Sequence, residues 1–119
     1  MRVRAARGAI RVTQDESEAV LAATRRLLTE ILERNEIATE DLVSILFTAT
    51  ADLTSAFPAE AARQLGLGLV PLLCARELQV AGSMPGVVRV LLHFHTDRDL
   101  GGVEHVYLDG AESLRDDLA

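Results

Sequence analysis

The chain has 119 residues, 49% of them hydrophobic and 25% charged, a balance that excludes a disordered polypeptide and predicts one domain over residues 1–119. Twelve cations against 18 acids give a net charge of −6, which argues against nucleic acid as a partner. The one cysteine, Cys74, excludes an internal disulfide, and neither a signal peptide nor a bilayer-length apolar run is visible, so a cytoplasmic protein with no membrane partner is expected.

In chain order, Arg2 to Val12 predicts a strand with small residues at Ala5, Ala6, Gly8 and Ala9 and a kink or bulge at Gly8. Thr13 or Asp15 is placed to cap a helix with Glu16 and Glu18 in its acid-rich first turn. Val20, Leu21, Leu27, Leu28, Ile31 and Leu32 fall on one face of that helix, which is expected to end near Asn35. Thr39 opens a short turn, and Leu42 to Ala49 reads as a largely buried strand. Pro58 suits the first turn of a second helix over Ala59 to Leu65, stopped by Gly66.

Leu69 to Leu73 predicts a short apolar strand, and Gly82 to Gly86 a connection. Val87 to Thr96 carries the clearest strand pattern, with Val88, Val90, Leu92 and Phe94 on one face and Arg89, Leu91, His93 and His95 on the other. A turn at Gly101-Gly102, a last strand over Val103 to Leu108 and a helical turn over Ala111 to Leu114 complete the set. The fold class is α/β or α+β: a mixed β-sheet packed with two main helices. So small a sheet with so few helices leaves apolar surface uncovered, which predicts a homo-oligomer.

The candidate chemistry is narrowed by what is missing. All 12 cations are arginine, so lysine Schiff-base or lysine-base mechanisms are unavailable. His93 and His95 share a strand face at a spacing that can hold one metal, but no further clustered ligand accompanies them, and partly exposed histidines are the better reading. No motif in the sequence points to what His105 contacts. Cys74, between Leu73 and Ala75, reads as a small buried hydrophobe, with no nearby positive charge or helix N-terminus to activate it. Arg89 interrupts an apolar strand and needs a partner or a ligand, and Glu77 is placed to face it. Spacing alone leaves two readings of that pair, a structural salt bridge or a pocket with a positive wall and one acid.

Six segments in order along the chain carry a resemblance. Arg4-x-x-Arg7-Gly8-Ala9, Thr48-Ala49-Thr50-x-Asp52-Leu53, Phe57-Pro58-Ala59, Pro71-x-x-Cys74-x-x-Glu77, Arg89-Val90-Leu91-x-His93 and His105-Val106-Tyr107-Leu108-x-x-Ala111-x-x-Leu114-Arg115 resemble the monofunctional chorismate mutases of the AroH type. The resemblance implies a homotrimer with a pseudo-α/β-barrel core and active sites at the subunit interfaces. It implies isomerisation of chorismate to prephenate in phenylalanine and tyrosine biosynthesis, with no cofactor and no metal.

By residue, the resemblance implies that Arg89 binds the ether oxygen and a carboxylate, and that Arg7 and Tyr107 bind the substrate carboxylates. Glu77 and the region of Leu73 and Cys74 would meet the ring hydroxyl, and Phe57 and Ala59 would come from the neighbouring chain. Arg63 would stand near the entrance, and Leu114 and Arg115 in a C-terminal segment over the site. The sequence departs from the pattern at Glu60, where lysine is common, at Leu73, where a polar residue is common, and at Asp116, where proline is common. Two alternatives stay open at this level: a Rid-type imine deaminase of similar architecture, and a trimeric metabolite-binding module without activity.

Overall fold

In the computed structural model, which describes residues 1–114, the alternating run Val87–Thr96 forms the middle strand of a five-stranded mixed sheet. The elements are β1 (Arg2–Arg11), α1 (Ser17–Arg34), β2 (Leu42–Ala49), α2 (Ala59–Gln64), β3 (Leu72–Arg76), β4 (Val87–Thr96) and β5 (Val106–Leu108). The strand order is β3-β2-β4-β1-β5. β4 runs antiparallel to β1 and β2, and the two edge strands, β3 and β5, join β2 and β1 in parallel. The expected α+β class, a mixed sheet with two helices, is what the chain adopts.

Because strand side chains alternate, the sheet has two unlike faces. One face presents Ala6, Ile10, Ile45, Phe47, Val88, Val90, Leu92, Phe94, Val106 and Leu108 to α1, whose Val20, Leu27, Leu28 and Ile31 complete the core. Among the described residues no α-helix covers the other face. On it Leu73 and Leu91 are exposed, and the register sets both beside Leu46.

Four sequence expectations are corrected, each for a local reason. Gly8 makes no bulge, since β1 and β4 stay in register from Arg2↔Thr96 to Arg11↔Val87. Its value is closeness: a Cβ there would lie 2.7 Å from Ile31 Cδ1 and 3.1 Å from Leu27 Cδ1, so the missing side chain lets α1 settle on the sheet. The sheet irregularity falls instead in β2, between Leu42 and Ser44.

Neither Thr13 nor Asp15 caps α1; Glu16 occupies the N-cap position without a side-chain bond, and Asp15 turns to Thr54 and Ser55. β3 begins at Leu72 rather than Leu69. Pro71 has no N–H for a ladder, although its carbonyl accepts from Ile45 N at 3.0 Å, and pairing proper starts one residue later.

β5 begins at Val106 rather than Val103. The Asn35 side chain takes both backbone groups of Glu104, accepting from its N at 2.8 Å and donating to its O at 2.9 Å. His105 Nδ1 then accepts the Arg7 N–H at 2.9 Å, so ladder pairing with β1 begins only at Gly8↔Val106. Asn35 is itself buried at the end of α1 and bonds Ile31 O at 3.0 Å, which fixes this junction to the helix.

Candidate active site

Pairing register builds a row across the helix-free face: Ala75↔Thr48, Thr48↔Arg89, Arg89↔Ala9 and Ala9↔Tyr107. Glu77 lies just beyond β3, and its N–H donates to Ala49 O at 3.1 Å, which extends the ladder one step and turns Glu77 to the same side as Ala75. There Glu77 Oε1 accepts from Arg89 Nε at 2.9 Å and Oε2 accepts from Thr48 Oγ1 at 3.0 Å. The Glu77 side chain is only 15% exposed, whereas that of Arg89 is 42% exposed. The terminal guanidinium nitrogens of Arg89 make no hydrogen bond to any described residue.

Arg7 projects from the same face, two residues along β1 from Ala9. Tyr107 is buried beside Ala9, Val87 and Ala111, with Met84 and Leu114 packed against that cluster. The turn over residues 112–114 therefore sits over Tyr107, where the Leu114 N–H donates to Ala111 O at 3.0 Å. Arg115 lies outside the described residues. The structure thus gathers Arg7, Glu77, Arg89, Tyr107 and Leu114 onto one side of the sheet, with Leu73 farther along it beside Leu46.

The remaining predicted residues are elsewhere. Cys74 pairs with Phe47, on the helix-covered face, and packs against the core. Residues three apart on an extended strand point to opposite sides, so Cys74 and Glu77 lie on different faces of the sheet. Cys74 instead lines a cavity of about 490 Å³ with Thr50, Leu53, Phe57 and Ala75, a size that suits a small organic ligand. Phe57 stands 76% exposed at that cavity, and Ala59 is buried in the core behind it. Arg63 is exposed on α2 and bonds Glu60 at 2.9 Å, so Glu60 occupies part of the positive charge that α2 carries. Within one chain these groups do not meet Arg7 and Arg89.

Two aspartates fix the connection between the two sets. Asp52 accepts from Gly86 N at 3.3 Å, and Thr50 Oγ1 accepts from Val87 N at 3.0 Å, tying residues 50–52 to the start of β4. The Thr50 hydroxyl and the Gly86 amide hold the Asp52 carboxyl below its usual range. Asp15 is likewise lowered, by the hydroxyls and amides of Ser55 and Thr54.

Sequence reasoning missed Thr48 as a site residue. The signal was present in the Thr48-Ala49-Thr50 segment, but only the register shows that Thr48 opposes Arg89 and braces Glu77. The histidines take ordinary partners: His93 Nδ1 lies 3.2 Å from Ser44 Oγ, and His105 accepts from Arg7 N. Among the described residues no three His, Cys, Asp or Glu side chains gather as a metal site. Nor is any helix there long and apolar enough to cross a membrane.

With this geometry in view, the sequence pattern of the family described as chorismate mutase type I matches residues 3–118. The chain belongs to that family. Chorismate mutase AroH of Thermus thermophilus is 56% identical over 117 residues, covering 98% of this chain and 96% of the relative. Chorismate mutase AroH of Bacillus subtilis (strain 168) is 40% identical over 120 residues, covering 100% of this chain and 94% of the relative. A solved chorismate mutase from Clostridium thermocellum superposes with a TM-score of 0.91 at 42% identity, covering 92% of this chain and 98% of the other. In the Arg89–Glu77 pair only Nε of the guanidinium is engaged, and Arg7 stands on the adjacent strand, diagonal to Arg89 in the register.

Proposed function

We propose that this chain isomerises chorismate to prephenate, and that Arg89, Glu77 and Arg7 carry the reaction. The observation that supports these roles is the Arg89–Glu77 pair on a helix-free sheet face, with Arg7 and Tyr107 on the two strands beyond it. The reaction is a unimolecular pericyclic rearrangement, so nucleophile, metal and lysine are dispensable. The protein's task is to hold a compact chair-like conformer and to stabilise the charge that separates as the C–O bond breaks ahead of C–C bond formation.

Negative charge grows on the ether oxygen, and a guanidinium with two free terminal nitrogens is the donor for it. Nε is already held by Glu77, so the fork is oriented before substrate arrives and little reorganisation is left to the reaction. Positive character grows on the ring, and the Glu77 carboxylate offsets it. Each Glu77 oxygen accepts one protein hydrogen bond and retains a lone pair for the ring hydroxyl. Arg7 and Tyr107 bind the substrate carboxylates, with Leu114 packed against the Tyr107 cluster.

The site is shared between copies of the chain. Phe57, Cys74, Ala59 and Arg63 sit apart from the arginine row in one chain, and the uncovered face bears Leu46, Leu73 and Leu91. A homotrimer whose sheets form a common pseudo-α/β-barrel brings the Phe57 loop of one copy against the Arg89 row of the next. It also covers the apolar patch and removes water from the charged row, which strengthens every electrostatic contact there.

The test is a chorismate assay on purified protein, following loss of substrate absorbance, with Arg89→Ala and Arg89→Lys in parallel. The wild type turns over, Arg89→Ala loses roughly 10²–10³ in rate or more, and Arg89→Lys recovers little because a point charge cannot replace the fork. A folded wild type without turnover overturns the activity. Near-normal turnover by Arg89→Lys overturns the role of Arg89.

A further inference from the structure

Asp15 is a residue the sequence assigns to a helix cap, and the structure uses it differently. Its Oδ1 accepts from Thr54 N at 3.0 Å and Ser55 N at 3.0 Å, and its Oδ2 accepts from Thr54 N at 3.1 Å and Thr54 Oγ1 at 2.9 Å. One carboxylate thus grips two consecutive backbone amides and a hydroxyl, 39 and 40 residues away in sequence. Those amides belong to the segment that ends in Phe57 and lines the 490 Å³ cavity through Leu53, Thr54, Ser55 and Ala56. The other end of the same segment is held independently by Asp52 and Thr50 against Gly86 and Val87. Leu53, Ala56 and Ala59 pack the segment against the core, but Asp15 supplies the side-chain hydrogen bonds that fix its Phe57 end, while the Arg89–Glu77–Thr48 set makes none to Asp15.

We infer that Asp15 is a positioning residue for substrate binding, acting by setting the Phe57 segment that one copy of the chain presents to the Arg89 row of its neighbour. The inference rests on the shared-site reading above. It assigns to the junction of β1 and α1 a part in affinity, although no atom of Asp15 lines the cavity. Asp15 acts on the half of the site that its own chain donates and not on the half that it keeps. Asp15→Asn preserves one acceptor oxygen and removes the other, so it weakens the grip; Asp15→Ala abolishes it.

The direct experiment is steady-state kinetics on the two variants. KM rises about fivefold or more in Asp15→Ala and less in Asp15→Asn, with kcat within about twofold of wild type, because the reacting charges are untouched. Equal falls in kcat and kcat/KM, or no change in KM for Asp15→Ala, overturn the inference.

The decisive experiment co-expresses pairs of differently tagged variants and purifies only mixed trimers. Phe57→Ala with Arg89→Ala regains about a third of the wild-type maximal rate if sites are shared, since one site in each mixed trimer then holds two intact halves. Asp15→Ala with Arg89→Ala regains a component with wild-type KM, and Asp15→Ala with Phe57→Ala does not. If the first pair fails to recover, the shared site is wrong and this inference falls with it. If the first pair recovers and Asp15→Ala with Arg89→Ala shows no wild-type-KM component, the shared site stands and Asp15 acts on its own chain's whole fold instead.

Discussion

The two faces of the sheet alternate residue by residue along the same strands, and they obey different rules. On the covered face Phe47, Val88, Val90, Leu92 and Phe94 lock under α1, and what matters there is volume. On the helix-free face Thr48, Arg89, Leu91 and Arg7 stand between the same neighbours, and what matters there is charge and direction. One strand, β4, thus supplies stability with its even-numbered side chains and the proposed chemistry with Arg89. The lesson is that a substitution on β4 is to be judged first by which side it points to, and only then by its size or charge.

That contrast can be broken in order of expected effect. Phe94→Ala, on the covered face, leaves a cavity where a fully buried ring was, and is expected to lower unfolding stability by about 3–5 kcal/mol. Denaturant titration measures it, and the folded fraction should keep its chorismate turnover per molecule. Arg89→Ala, five residues away on the other face of the same strand, should do the reverse. It loses roughly 3–4 kcal/mol of transition-state stabilisation, while unfolding shifts by less than in Phe94→Ala, about 1–3 kcal/mol, because Glu77 loses its charged partner and keeps the Thr48 hydroxyl. A large stability loss in Arg89→Ala would return the pair to a purely structural role.

Gly8→Ala probes the covered face gently. The new methyl group meets the tips of Ile31 and Leu27, which can shift by tenths of an ångström, and Val106 O at 3.2 Å, so a cost of about 1 kcal/mol is expected with unchanged kcat. The smallest effect lies in acid. Hydroxyl and amide hydrogen bonds hold Asp15 and Asp52 below the ordinary aspartate range in the fold, so each contributes stability that is present above the unfolded-chain value and is lost as pH falls through the lowered one. Thermal melting of the Asp15→Asn, Asp52→Asn double variant should therefore show a flatter decline below the unfolded-chain value than the wild type, and an identical decline would show that these two carboxylates carry no such linkage.

Much of this contrast was legible in the sequence. Alternation alone separated Val88, Val90, Leu92 and Phe94 from Arg89, Leu91, His93 and His95, because a strand has period two whatever surrounds it. The Arg89–Glu77 pairing was also legible, since a charge in an apolar strand demands a counter-charge nearby. What was not legible depended on partners far away in the chain. The start of β5 is set by Asn35 taking the Glu104 backbone, and the start of β3 by which side of Pro71 finds β2. Asp15 looked like a cap because Asp before a helix usually is one, and no local rule reveals two amides arriving from residues 54 and 55. Thr48 was hidden for the same reason, as its role needs the register of three strands at once.

The strand order has a further consequence, for the chain as it is made. β1 is the first strand synthesised, yet its two neighbours in the sheet are β4 and β5, the last two. No hydrogen-bonded partner for β1 exists until residues beyond 87 have left the ribosome, and its pairing is complete only when Val106–Leu108 has followed. Until then Ile10 and the apolar stripe of α1 have only each other and the later β2 to lie against. Nascent chains stalled before β4 should consequently be open, sticky and protease-sensitive, and those stalled after β5 has emerged compact, so that the whole sheet closes in a single event once its last strand is available.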